Sequence, residues 1–230
     1  MLVFPPAACA LFVARRGYGS MTDAVLAFND FSQYPVFVFT SFVVPLCCVT
    51  FGATAVGGDR DDGTLLFLLM RPLPRGLIIA AKFAAALPLS VGFTCGGLWM
   101  LCRLAGSPGR LAFDAYLAPV FYMTLAYTAL FLLFGTLVRH AVIVGLLYTL
   151  LMEVFLGNFV PGIINQLAIN YYGRLLMFDA GVDEGLTAPD PQWFDPLSSS
   201  SARWTLWGIT LAAWCAAWLV FQFREYEDAE

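Results

Sequence analysis

The stretch Tyr116-Leu-Ala-Pro-Val-Phe-Tyr-Met-Thr-Leu-Ala-Tyr-Thr-Ala-Leu-Phe-Leu-Leu-Phe-Gly-Thr-Leu-Val138 carries no charged side chain. About 20 such residues suffice for a helix to cross the hydrocarbon core of a bilayer. Working outward, four more runs are long and apolar: Pro35–Val56, Gly76–Cys102, Ala141–Val160 and Trp204–Phe223, with Lys82 and Glu153 as their charged residues. Pro45 and Pro88 interrupt two of them, which a membrane helix tolerates because neighbouring helices can satisfy the freed backbone groups. Trp193, Trp204, Tyr171 and Tyr172 fall near predicted span ends, where interfacial aromatics belong.

Met1–Ala14 is also apolar but short. At about 1.5 Å per residue it covers roughly 21 Å of a core about 30 Å thick. It lacks the basic start of a signal peptide, and it reads as the end of a first span whose beginning lies upstream. The expectation is therefore an all-α integral membrane protein with one transmembrane domain over residues 1–230. It has about six spans, the first shortened. Gly57–Arg75 joins the second to the third, and the longest connection, Pro161–Arg203, lies on the outer side.

Composition agrees. The chain of 230 residues is 60% hydrophobic and only 12% charged, with a mean hydropathy of +0.77. A soluble domain has about 45–50% apolar and about 25% charged residues, so there is too little charge here to cover a water-soluble surface. No basic patch suits nucleic acid. The cysteines at positions 9, 47, 48, 95, 102 and 215 form no Cys-x-x-Cys pair, and His140 is the sole histidine. A disulfide framework or a metal site is not expected. Cys47-Cys48 reads better as small apolar filler than as a soft copper site.

Charge bias sets topology only weakly. Arg60, Arg71, Arg75, Lys82, Arg139 and Arg224 would lie on one side, and Arg15, Arg16, Arg103, Arg110, Arg174 and Arg203 on the other. That balance decides nothing by itself. The concentration of four cations within Arg60–Lys82 leans this segment towards the cytoplasm.

This segment is the most informative part of the chain. Asp59, Asp61 and Asp62 precede Gly63-Thr64. A leucine-rich run, Leu65–Met70, follows, and Arg71-Pro72-Leu73-Pro74-Arg75 closes it. As physics, it reads as a short surface helix with Asp61 and Asp62 at its positive end and Arg71 at its negative end, stopped by the prolines. Leu65, Leu68 and Leu69 project from one face. Such an element is either an ordinary interfacial loop helix or a docking element for a second protein.

The same residues resemble the transmembrane subunits of type-2 ABC exporters, whose second and third spans are joined by an acid-rich turn, Gly-Thr, a run of leucines and Arg-Pro-x-x-Arg, with Lys82 seven residues beyond. A second match runs from Glu153 through Leu156-Gly157-Asn158-Phe159-Val160-Pro161-Gly162 to Ile169-Asn170-Tyr171-Tyr172-Gly173-Arg174. The resemblance covers nearly the whole chain and departs from the family at its shortened start. It implies a permease, an exporter of the cytoplasmic membrane, that pairs with a second identical or similar permease copy and with a separate ABC ATPase. Asp59, Asp61, Asp62, Gly63, Thr64, Leu65, Leu68, Leu69, Arg71, Pro72 and Arg75 would form its ATPase-coupling segment. The permease itself binds no cofactor, and ATP with magnesium belongs to the partner.

The residues agree that the chain is not itself an ATPase. A phosphate-binding loop needs Gly-Lys followed by Ser or Thr, whereas Lys82, the only lysine, stands between Ala81 and Phe83. An intramembrane enzyme is disfavoured too, because one histidine cannot supply a metal motif and Ser198–Ser201 reads as a flexible loop. A non-transporting scaffold subunit stays open. Glu153 is the one acid deep in a span. A carboxylate there costs about 3 kcal/mol on insertion scales, so either a pathway role or a buried hydrogen-bond role is expected of it, and the same two roles are expected of Asn158.

Overall fold

A computed structural model describes residue 7 and residues 21–64, 74–156, 163–182 and 199–223. Its helices are α1 (Met21–Phe31), α2 (Val44–Asp61), α3 (Arg75–Ala105), α4 (Ser107–Leu137), α5 (Ala141–Tyr148), α6 (Ile169–Val182) and α7 (Ser199–Phe223). Among the described residues there is no strand. Within those residues, four helical stretches are long and apolar enough to cross a membrane: Leu26–Asp61, Arg75–Ala105, Gly109–Leu137 and Ser199–Phe223. The chain is an all-α, multi-pass membrane protein. The shortened first span expected at Met1–Ala14 lies outside the described residues.

The first of these stretches is one long rod. α1 runs into α2 through two π-helical turns, Ser32–Val36 and Phe39–Val43. Pro35 sits inside the first of them, and a widened turn is one way a helix absorbs the hydrogen bond that proline removes. The span expected at Pro35–Val56 therefore begins earlier and ends later.

α4 is the central element and packs against α1, α2, α3, α6 and α7. Phe28, Phe31, Phe39, Tyr116, Tyr127, Phe131 and Tyr171 fill the space around it. In the most apolar window of the α1–α2 rod and of α4, 61% of residues are buried, against 22% for α3 and 28% for α7. The rod and α4 thus form the inside of the subunit. α3 and α7 turn Leu89, Phe93, Trp99, Trp204 and Leu211 outward. Hydroxyls inside the spans are consumed locally: Ser90, Thr94, Thr128 and Thr210 each bond a carbonyl one turn back. Thr124 joins Thr94 across the α3–α4 contact at 2.9 Å. Such bonds are required where no water can satisfy a polar group.

Three further features of the spans and their connections differ from the sequence reading. The loop expected at Arg103–Phe113 shrinks to Gly106, which has φ +78° and ψ −128°. That conformation is open to glycine alone, so α3 reverses into α4 at one residue. The span expected at Ala141–Val160 is shorter: α5 continues as a π-helix over Thr149–Leu156. From Ala141 to Leu156 the rise is about 24 Å, less than the hydrocarbon thickness of about 30 Å. Finally, the connection Pro161–Arg203 holds a 3-10 turn, Ile163–Leu167, and α6. α6 buries Ile169, Tyr171, Leu175, Leu176 and Met177 and packs on α4 and α7. Its apolar residues belong to the core, so this stretch is not simply a surface loop.

Candidate functional site

Two polar constellations stand out, one at the junction of two spans and one buried inside the bundle. The first is where α2 ends and α3 begins. Asp61 is the last residue of α2, and Asp62 is its C-cap. This corrects the expectation that the two acids open a following helix. Carboxylates are disfavoured at the negative helix end, but both are exposed and Arg60 stands in the same last turn. Leu65, Leu68, Leu69, Arg71 and Pro72, and the helix expected to hold them, lie outside the described residues, as does Asn158.

Gly63-Thr64 has a definite structural meaning. Gly63 takes φ +66°, its amide bonds the Arg60 carbonyl at 3.3 Å, and the Thr64 amide bonds the Asp59 carbonyl at 2.9 Å. This pattern of a left-handed glycine and two reverse bonds is the Schellman stop, which satisfies the orphan carbonyls of a helix end. The Thr64 hydroxyl adds a bond to the same Asp59 carbonyl at 3.2 Å. The side chain of Asp59 turns the other way and forms an ion pair with Lys82 of α3. Beyond Pro74, the N-cap of α3, Arg75 donates to the carbonyl of Gln222 on α7 at 3.4 Å. The acid-rich turn and the terminal arginine of the segment are thus anchored to two different spans.

The second constellation surrounds Glu153, which is fully buried. Its carboxylate accepts the backbone amides of Ile169 at 3.1 Å and Asn170 at 2.9 Å, together with the Tyr148 hydroxyl at 3.1 Å. The first amides of a helix have no partner within it, and the positive helix end favours a carboxylate. Glu153 therefore caps α6 from the preceding helix. Tyr148 lies five residues before it, a spacing that points away in an α-helix but converges in a π-helix. Buried Tyr127 of α4 lies against the same carboxylate.

α6 is also fastened to the long rod. The Asn170 amide group donates to Ser41 Oγ at 2.8 Å, and the Arg174 guanidinium lies over the Phe37 ring, 4.6 Å from its centroid. The pairs 170/174 and 37/41 have the same spacing of four, so one face of α6 meets one face of the rod. A cleft of about 450 Å³ opens beside this contact, lined by Gln33, Tyr34, Phe37, Tyr116, Arg174 and Phe178 among others.

Sequence reasoning singled out Glu153, Asp59 and Arg75 but missed Tyr148, Ser41 and Asn170 as partners of one network, and the pairing of Lys82 with Asp59. The Ile169–Arg174 run flagged the region, but nothing in it named the bonds. Among the described residues, no three His, Cys, Asp or Glu side chains gather into a metal-binding group.

Comparison with known proteins follows the same lines. The profile of the family described as "ABC-2 family transporter protein" matches residues 10–221. A protein named "Probable ABC transporter permease protein NosY" from Stutzerimonas stutzeri is 32% identical over 81 residues, which is 33% of this chain and 29% of that protein. Its namesake from Pseudomonas aeruginosa is 31% identical over 100 residues, 38% of this chain and 36% of that protein. The matched stretch thus spans about a third of the length of either relative.

Proposed function

The chain belongs to the ABC-2 family of transporter proteins, whose profile covers residues 10–221, and on that premise we propose that it is the permease subunit of an ATP-driven exporter in the cytoplasmic membrane. The single observation that carries this reading is the family match across nearly the whole chain. The segment Asp59–Arg75 supports it, because its two ends are tied to α3 and α7. Force applied there would reach the spans.

In this reading the subunit pairs with a second permease copy and with two ATPase subunits that hold ATP and magnesium. A ligand shifts a two-state assembly only by its differential affinity for the two states. ATP must therefore favour the closed ATPase pair, and the coupling segment must be drawn with it. Leu65, Leu68 and Leu69 would seat in a groove on the ATPase, with Asp61, Asp62, Arg71 and Arg75 as a polar rim that fixes orientation more than affinity. Glu153 would serve as a structural clamp beside the transport path, holding α6 in place.

The test is purification of the tagged chain from its native membranes. The expected result is co-purification of an ABC ATPase with vanadate-sensitive ATP hydrolysis. Leu68→Ala combined with Leu69→Ala should abolish it, since truncating a buried interface anchor costs about 2 kcal/mol or more, a loss of about 30-fold in affinity per residue. Wild-type complexes that contain other membrane proteins but no ATPase would point instead to a scaffold subunit.

A further inference from the structure

Lys82 is the only lysine in the chain. It stands seven residues into α3, roughly 10 Å from the start of that helix, where a lysine must stretch its apolar stem along the spans to bring its charge towards the surface. Its ammonium meets the carboxylate of Asp59, and both side chains are about three-quarters covered, with exposures of 26% and 28%. Asp59 has two attachments. Its carbonyl holds the Thr64 amide and hydroxyl, so its backbone grips the first residues that leave α2. Its carboxylate grips α3.

α3 is the spanning stretch that the rest of the subunit covers least. Its most apolar window is the least buried of the four spanning stretches, at 22%. Its first turn is linked to α7 as well, through Arg75 to the Gln222 carbonyl and through the Trp218 indole, which packs over the backbone at Gly76. A displacement passed into the start of α3 would therefore be shared with the C-terminal span. Among the described residues, Arg60 in the last turn of α2 and the exposed pair Asp61 and Asp62 also stand at this corner.

We infer that the Asp59–Lys82 ion pair is the positioning link that carries movement of the coupling segment from the end of α2 into α3, and with it α7. The pair acts through its charge and sets the timing of the spans. It touches neither nucleotide nor cargo. This inference rests on the coupling role proposed above. It adds which spans receive the movement and through which atoms: a lost ion pair would leave the ATPase docked and hydrolysing while α3 no longer follows.

The experiment uses the full chain in complex with its ATPase, reconstituted in lipid nanodiscs. Hydrogen exchange over residues 75–83 is compared between the nucleotide-free and the ADP–vanadate-trapped complex. The wild type and Lys82→Arg, which keeps the charge, should show a nucleotide-dependent change. Asp59→Asn and Lys82→Gln should both lose that change, and Lys82→Gln, which lies outside the coupling segment, should still bind the ATPase and hydrolyse ATP. The double variant should be no worse than either single one, as expected of two groups that act only through each other. The inference is overturned if Asp59→Asn or Lys82→Gln keeps the α3 response, or if Lys82→Arg loses it as fully as Lys82→Gln. Failure of the wild-type chain to bind any ATPase would overturn this inference together with the permease reading. Docking with an unchanged α3 response in the variants would overturn this inference alone.

Discussion

Replacing Glu153 should weaken the fold in a graded order that follows from its bonds. Glu153→Ala removes the acceptor for the Ile169 and Asn170 amides and for the Tyr148 hydroxyl. Each buried donor left without a partner costs about 1–3 kcal/mol. Relaxation of the α6 start and the non-additivity of neighbouring groups bring the expected total to about 3–6 kcal/mol. Glu153→Gln keeps one acceptor oxygen and the side-chain shape. It loses charge-assisted bonds and gains an amide donor without a partner, for about 1.5–3 kcal/mol. Tyr148→Phe removes one bond and should cost about 1 kcal/mol. In a chain of this length about 2–4 °C of melting temperature corresponds to each kcal/mol, so Glu153→Gln should lower the midpoint by about 3–12 °C. The assay is thermal unfolding of the purified protein in one detergent, with hydrogen exchange at Ile169 and Asn170 as the local readout. Exchange there should rise first in Glu153→Ala. Wild-type midpoints and unchanged α6 exchange in both Glu153 variants would refute the capping account and leave the residue free for another role.

Two further predictions concern the same fold. Gly63→Ala meets no atom within 4 Å of its new methyl group, so its whole effect is backbone strain at φ +66°, about 1–2 kcal/mol. Faster hydrogen exchange of the Thr64 amide would report it, and Gly63→Asn should be milder because asparagine accepts the left-handed conformation. Ser41→Ala removes the acceptor of the Asn170 amide group and should destabilise the protein by about 1 kcal/mol, measurable as a lowered melting temperature. In a double-mutant cycle with Asn170→Ala the cost of the double variant should fall short of the sum of the two single costs.

The spans were legible in the sequence because hydrocarbon thickness imposes a minimum apolar length, and Gly76–Cys102 and Tyr116–Val138 meet it without ambiguity. What sits between spans was less legible. Asp61 and Asp62 can serve the start of one helix or the end of another, and the rule for charges near helix ends does not say which helix is theirs. The Schellman stop at Gly63 settles that they close α2. α6 was missed as a helix because the apolar residues of Ile169–Met177 were read as part of a mildly hydrophobic outer connection. The Glu153 network was hidden for a related reason. A π-helical register brings Tyr148 and Glu153 together, and α-helical spacing does not foretell it. The pairing of Lys82 with Asp59, 23 residues apart, depends on how two helices cross, and no local pattern encodes that.

The central claim is that the segment between α2 and α3 meets an ABC ATPase. Its most direct test is a photo-crosslinking amino acid placed at position 68 in the membrane-embedded chain, with the crosslinked product identified by mass spectrometry. The account predicts a crosslink to an ABC ATPase subunit whose yield changes when ADP–vanadate is trapped. Crosslinks to lipid alone, with the ATPase present in the same membranes, would contradict it.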